Sequence, residues 1–249
     1  AVCGVVTECG VVEAQAVVCA GGAWSSMFMR NAGIDLPQLT VRATVARTGK
    51  APDIFQGNAA SADLAFRRRK DGGYTVALSD FAEHFLALDS CRHFSKFLPS
   101  LRASWSATRF RFSGDLMKRF SELRRWTGDA VSPFERTRVL NPPPSEWAVR
   151  QMSKRLKKRL PRLSEVTFEE SWAGMIDTTP DFVPVMDEVP GKPKFYVATG
   201  FSGHGFGIGP GAGRVMADMV LGRSPAHALE RFRFSRFTDG TRMVLGPVL

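Results

Sequence analysis

Between Thr199 and Arg214 the chain sets seven glycines, Gly200, Gly203, Gly205, Gly207, Gly209, Gly211 and Gly213, among Phe201, Ser202, His204, Phe206, Ile208, Pro210 and Ala212. Strand-like Phe195-Tyr196-Val197-Ala198 precedes the run, and helix-like Val215 to Leu221 follows it. The reading is a strand, a glycine loop and a helix. Glycine without a Cβ lets backbone N–H groups approach a partner closely, and a helix N-terminus beyond the loop favours negative charge. The expected guest is a negatively polarised ring or a phosphate. A P-loop would require a Gly-Lys-Ser/Thr ending, which is missing here, and the spacing is not the dinucleotide fingerprint either. Taken alone, the stretch also fits a Gly-rich surface loop.

The remaining sequence bounds the choice. A chain of 249 residues with 44% hydrophobic content can bury one large core or two modest ones. The sequence contains no apolar run long enough to span a bilayer and no export pattern at the N-terminus, so a cytoplasmic location is expected. Cys3, Cys9, Cys19 and Cys91 form no C-x-x-C pair. They read as small buried thiols, and no metal site is expected. The chain starts at Ala1 inside strand-like sequence, which suggests a preceding N-terminal portion.

The net charge of +10 is concentrated in Arg67-Arg68-Arg69-Lys70 and in Lys154 to Arg159. The second cluster lies on a helix whose Val149, Met152, Leu156 and Leu160 follow the 3.6-residue repeat, so it reads as a solvated amphipathic face. Peripheral contact with a membrane surface is the alternative for these clusters; no nucleic-acid partner is expected.

Along the chain, Val2 to Thr7, Val11 to Glu13 and Ala16 to Ala20 read as strands. The third is apolar on both faces, as in a covered parallel sheet. It ends at Gly21-Gly22, before a helix from Trp24 that stops by Gly33. From Pro37 the texture changes. Leu39 to Thr48 alternates, and Leu64 to Arg69, Asp71-Gly72-Gly73 and Tyr74 to Leu78 form a hairpin signal. Helices are expected over Cys91 to Phe97 and Leu116 to Trp126, with Trp105 to Phe112 ambiguous. Asn141-Pro142-Pro143-Pro144 forces an extended connector, and Ser145 caps the basic helix. Glu165 to Trp172 reads as a strand that returns to the first sheet. The order predicts an α/β fold in which an antiparallel domain, 37–162, interrupts a parallel-sheet domain made of 1–36 and 163–249.

Four motifs in order, Val17 to Ser25, Arg69 to Tyr74, Trp172-Ala173-Gly174 with Thr179-Pro180-Asp181, and Gly200 to Gly213, resemble the FAD-dependent amino-acid oxidoreductases of the D-amino-acid dehydrogenase, glycine oxidase and sarcosine oxidase type. The resemblance covers nearly the whole chain. It implies a partial FAD-binding domain of the glutathione-reductase-like kind, with an inserted antiparallel α+β substrate domain. It also implies oxidation of an amino-acid C–N bond by hydride transfer to flavin N5, with oxygen or a quinone as electron acceptor. A non-catalytic or subunit-type remnant of the same fold is the alternative, and a basic surface-binding protein a further one.

By position, Ala20, Gly21, Gly22, Trp24 and Gly174 would lie against FAD, and Gly203, His204, Gly205, Phe206 and Gly207 would line the isoalloxazine. Two departures stand out. The strand, G-x-G-x-x-G and helix that grip the ADP half of FAD in the family have no match here, so this stretch alone is expected to retain little FAD and to be inactive. Ile176 stands where glycine oxidase relatives carry a carboxylate-binding arginine, with Asp177 next. His204 is the candidate hydrogen-bonding residue at the flavin or substrate. Asp177 is the candidate partner for a cationic substrate group, or else a turn former, and Asp181 is expected to be structural. Arg68, with Ile176 and Asp177, is assigned to the substrate, although a solvated edge charge is the common meaning of such a run.

Overall fold

Residues 1–112 and 125–246 are described by a computed structural model. The chain begins with the hairpin β1 (Gly4–Thr7) and β2 (Gly10–Glu13), followed by β3 (Val17–Cys19), a 3₁₀ turn at Gly22–Trp24 and α1 (Ser25–Asn31). Gly33 ends that helix with a φ of +80°, as a glycine after a helix C-terminus does. Next come β4 (Leu39–Thr48), β5 (Asn58–Ala60), β6 (Ala65–Arg68), β7 (Tyr74–Ala77) and β8 (Ala82–Leu86). Two helices, α2 (Leu88–Arg92) and α3 (Phe94–Ser104), lead to β9 (Thr108–Phe112). A single turn α4 (Pro133–Arg136), the long α5 (Glu146–Arg159), β10 (Phe168–Thr178), β11 (Val185–Glu188), β12 (Phe195–Thr199) and α6 (Gly205–Val220) complete the order.

Among the described residues the strands form three sheets: the β1–β2 hairpin, a seven-stranded sheet in the order β5-β6-β7-β4-β8-β9 with β10 added on β4, and a three-stranded sheet β11-β12-β3. The expected parallel pairing is present, since β12 runs parallel to β3. β3 is nevertheless an edge strand, and Val18 is 41% exposed, so its two apolar faces do not both meet protein. All of β12 is buried; α1 covers one face through Met29, and α6 the other through Ala212 and Met216.

The large sheet is antiparallel except where β8 pairs parallel with β9. One expectation is corrected here. The strand after Leu163 does not return to the first sheet; β10 pairs antiparallel with β4 from Phe168 to Thr178. The ten-residue β4 offers a full ladder of free N–H and C=O groups, which a long partner satisfies better than the short strands of the other sheet. The expected helix over Leu116 to Trp126 lies outside the described residues, apart from Arg125 and Trp126, which are not helical.

Helix α5 forms as its sequence dictates. The Ser145 hydroxyl accepts from the Ala148 N–H at 3.5 Å, and Lys157, Lys158 and Arg159 sit in the last turn, where the helix dipole favours cations. Met152 and Leu156 are fully buried against Tyr74 and Val76 of the sheet. The basic face is partly neutralised: Arg155 pairs with Asp80, and Arg159 lies 3.1 Å from Asp63. The cysteine expectation fails for three of four positions, because Cys3, Cys9 and Cys91 are exposed and only Cys19 is buried. Short strand and helix ends carry them, where apolar neighbours in sequence do not imply cover in space. Among the described residues no helix is long and apolar enough to cross a membrane, and no cluster has the makings of a metal site.

Candidate functional site

The glycine run divides in two. Gly200 (φ +74°), Ser202 (φ +49°) and Gly203 (φ +80°) make a tight loop, and the helix then begins at Gly205, about ten residues earlier than the sequence suggests. Gly205 through Gly213 are therefore helical, not loop. A helix tolerates them because Ala212, Val215 and Met216 anchor its buried face on the sheet. What the glycines remove is side chain from the exposed face. A Cβ built at Gly207, Gly209, Gly211 or Gly213 meets no atom within 4 Å, so these positions leave open space above bare backbone.

That space is the mouth of a cavity of about 540 Å³. Three elements wall it: the end of β3 with Ala20 and Gly22, the end of β10 with Met175, Ile176 and Asp177, and α6 with Gly205, Gly209 and Gly213. Phe206, wholly exposed, stands at its rim. In the first turn of α6 the Gly207 and Ile208 N–H groups donate to the His204 carbonyl at 3.1 and 3.2 Å, so the helix presents the Gly205 and Phe206 N–H groups and a partial positive charge at the loop. Gly22 has a φ of +53° and open space where a Cβ would be, which lets its backbone meet a flat guest closely.

The loop is held from below. The Asp177 carboxylate accepts from the Gly200 N–H at 2.5 Å, and its backbone carbonyl accepts from Ser202 N–H at 3.0 Å. Thr199 Oγ1 lies 3.0 Å from the same carboxylate and 2.9 Å from Ser25 Oγ, tying β12, β10 and α1 together. Gln38, 2% exposed, donates to the Gly22 carbonyl at 2.7 Å and leaves Oε1 without a partner among the described residues. Burial pushes the Cys19 thiol above its ordinary range, against smaller opposing hydrogen bonds from Gly21 and Ser25. It stays a neutral thiol beneath the sheet end.

The sequence-predicted residues separate accordingly. Ala20, Gly22, Ile176, Asp177, Gly203, Gly205 and Phe206 meet around one cavity. Gly21, Gly207 and His204 lie beside it; His204 is the half-buried N-cap residue of α6 and makes no side-chain cap bond. Trp24 lines a neighbouring cavity of about 580 Å³ and packs edge-on to Phe134, with ring centroids 6.1 Å apart. Gly174 sits in mid-strand opposite Ala43, with open space where a Cβ would point.

Two assignments change. Asp177 spends its carboxylate on the loop and Thr199, which is the bonding of a positioning residue and leaves the pairing with a cationic substrate without support. Arg68 turns from the cavities: its Nη1 donates to the Ala51 carbonyl at 3.1 Å, and its guanidinium stacks 4.7 Å from the Tyr74 ring. A half-buried arginine on a hairpin finds a carbonyl and an aromatic face closer than a remote ligand. Asp181 is structural as expected, 2% exposed and bound bidentately by Arg236 at 2.9 and 3.1 Å. Sequence reasoning missed Gln38, Met175, Arg236 and Thr199. Only Thr199 had a signal, at the strand end just before the glycines.

A cradle of bare backbone, positive-φ glycines and a helix N-terminus suits a flat ring with polar oxygens, and the residues present fit the isoalloxazine end of the cofactor. A family profile described as FAD dependent oxidoreductase matches residues 1–219. Among solved structures, L-amino acid deaminase from Proteus myxofaciens in complex with anthranilate superposes with a TM-score of 0.89 at 31% identity, over 95% of this chain and 53% of that one. L-amino acid deaminase from Proteus vulgaris gives 0.86 at 28%, over 94% and 54%. N-methyl-L-tryptophan oxidase of Salmonella newport (strain SL254) is 44% identical over 63 residues, 25% of this chain and 17% of that protein. The chain thus spans about half the length of these solved structures. With the profile covering most of its length and the cradle matching the cofactor, the chain belongs to the FAD-dependent oxidoreductase family.

Proposed function

We propose that the protein oxidises the C–N bond of an amino acid, with the flavin ring held in the cavity between Gly22, Met175–Asp177 and the glycine face of α6. The observation that carries this reading is the convergence of two bare-backbone segments, at Gly22 and along the α6 glycines, with the end of β10 on one cavity. When bound, FAD supplies the hydride acceptor. The chain's own residues do the positioning: Asp177 and Thr199 fix the Gly200–Gly203 loop, Gln38 fixes Gly22, and the first turn of α6 supplies donors for charge that reduction places on the ring. Orientation and electrostatics of this kind need no dedicated acid or base.

In this reading residues 1–36 and 163–249 contribute to the FAD-binding part and 37–162 to the substrate part, with β10 crossing from one to the other. The substrate names of the relatives are L-configured, which gives an L-amino acid more support than a D-amino-acid dehydrogenase-like preference. Oxygen and a quinone are the two electron acceptors to compare. The test is Gly209→Leu. Its Cβ meets no protein atom, so the fold should hold while the side chain fills the ring's space and the visible flavin band is lost from the purified holoenzyme. Anaerobic addition of an L-amino acid should bleach that band in the wild type, and its D enantiomer should bleach it more slowly or not at all. A Gly209→Leu protein that keeps its flavin and bleaches normally would remove the cradle from the site.

A further inference from the structure

The β4–β10 ladder sorts side chains by the two-residue repeat. Directly opposed residues of antiparallel strands share a face, so Met175 goes with Arg42 and Asp177 with Thr40, whereas Ile176 goes with Val41 and Gly174 with Ala43. The second face opens on a larger cavity of about 870 Å³, closed on its far side by α3 and β9. Its walls are apolar: Val41, Phe97, Leu101, Trp105, Phe110 and Ile176. Ile176 also lines the cradle cavity, so the two spaces adjoin at one side chain.

Most polar groups in the large cavity are already engaged; Ser79 Oγ is buried without a partner among the described residues. His84 Nδ1 lies 2.9 Å from the Thr40 carbonyl, which only accepts, so Nδ1 carries the proton. Nε2 lies 2.9 Å from the Ser90 hydroxyl. Ser100 donates to the Phe97 carbonyl and Thr178 to the Leu39 carbonyl. Arg102 lines the cavity from an exposed position, where its charge stays hydrated. A guest here gains by burying apolar area, and a charged or strongly polar side chain would lose its hydration with one unpaired hydroxyl, that of Ser79, to offset the loss.

We infer that this cavity receives the side chain of a large apolar amino acid, a phenyl, indole or branched aliphatic group, while the reacting carbon lies at the Ile176 junction. The inference rests on the proposed oxidation at the adjoining cradle and adds the substrate's side-chain class. Discrimination follows from area: a phenyl-bearing substrate should exceed alanine in kcat/KM by about 10–100-fold. Ala43 and Ala82 both line the cavity, from β4 and β8, and neither belongs to the cradle. Ala43→Phe and Ala82→Phe should each fill it and cut that ratio at least about tenfold, while alanine turnover and the flavin spectrum stay at wild-type levels.

A readout free of turnover is calorimetric titration of the protein with 3-phenylpropionate, which should bind to the wild type and at least about tenfold more weakly to either variant. Circular dichroism separates misfolding from blocked binding, and the two variants fill the cavity from adjacent strands. A wild type that turns over alanine and phenylalanine equally, or folded variants with an unchanged ratio and unchanged 3-phenylpropionate binding, would overturn the inference while leaving the oxidation intact. A wild type whose flavin no amino acid bleaches would instead overturn the proposed oxidation.

Discussion

The two larger sheets among the described residues make their sites by opposite means. At the three-stranded sheet the cavity is formed by leaving side chains out: Gly22, Gly203, Gly205, Gly209 and Gly213 expose backbone, and the few side chains involved tie the loop from beneath. At the seven-stranded sheet the cavity is formed by side chains put in, with aromatic and branched residues of β4, α3 and β9 as its walls. Backbone recognition suits a guest that is always the same, since no rotamer has to be chosen. Side-chain recognition suits a guest that varies, because one substitution changes the shape. The difference predicts that the first region tolerates change poorly in conformation and the second changes mainly in selectivity.

Each region holds one buried carboxylate, and these give the largest expected difference. Asp181 and Arg236 are both nearly fully buried, so Asp181→Ala strands a guanidinium that cannot reach water and should cost about 3–5 kcal/mol. Glu83, fully buried, is bound by Arg42 at 2.6 Å and Arg111 at 3.0 Å, but Arg111 is half exposed and can rehydrate. Glu83→Ala should therefore cost less, about 1.5–3 kcal/mol. Denaturant unfolding of both variants measures the gap, and equal or reversed costs would show that exposure of the arginine partners does not set it.

Glycine substitutions sharpen the same contrast at intermediate size. Gly200 combines a positive φ with a Cβ position 2.3 Å from Thr179 Cγ2, so Gly200→Ala should cost about 2–4 kcal/mol from backbone strain and overpacking together. Gly72, in the β6–β7 hairpin, has a φ of +88° but its nearest neighbour is the flexible Lys50 side chain at 3.8 Å. Gly72→Ala should cost only the strain, about 1–2 kcal/mol. Unfolding midpoints that match for the two would mean that Thr179 yields without penalty.

The smallest expected effect has the opposite sign. Gly207 lies in α6 with an ordinary helical φ, open surroundings and no place on the cavity wall. Gly207→Ala should raise stability by about 0.5–1 kcal/mol and leave flavin content unchanged. A thermal scan with a flavin-content measurement checks both. Loss of flavin in this variant would extend the bare-backbone contact one residue beyond the cavity described above.

Much of the architecture was legible because local chemistry and tertiary packing agree. The alternation of Leu39 to Thr48, the Asp71-Gly72-Gly73 turn and the Ser145 cap each name their own structure, and each appears where the residues require it. The helix start at Gly205 was not legible, since five alternating glycines have poor helix propensity and only packing of Ala212, Val215 and Met216 on the sheet overrides it. Nor was the partner of β10. A strand's side-chain pattern says which face is buried but not which backbone ladder it joins. Arg68 failed for a related reason: an arginine on a hairpin reaches several ångströms in any direction, and sequence does not say what waits there.

By itself, the sequence determined which segments must be backbone-bare, which stripes must be buried and where the chain must turn, because glycine, proline and hydrophobic period act through neighbours in the chain. It therefore marked both Gly21–Gly22 and Gly200–Gly213 as sites. Only the tertiary structure decided that these two stretches meet Met175–Asp177 around one cavity, that the Asp177 carboxylate is spent on holding the loop, and that a larger apolar cavity adjoins at Ile176. Those facts depend on contacts between residues from 22 to more than a hundred positions apart, and the free energy of such contacts is set by geometry that the local sequence does not encode.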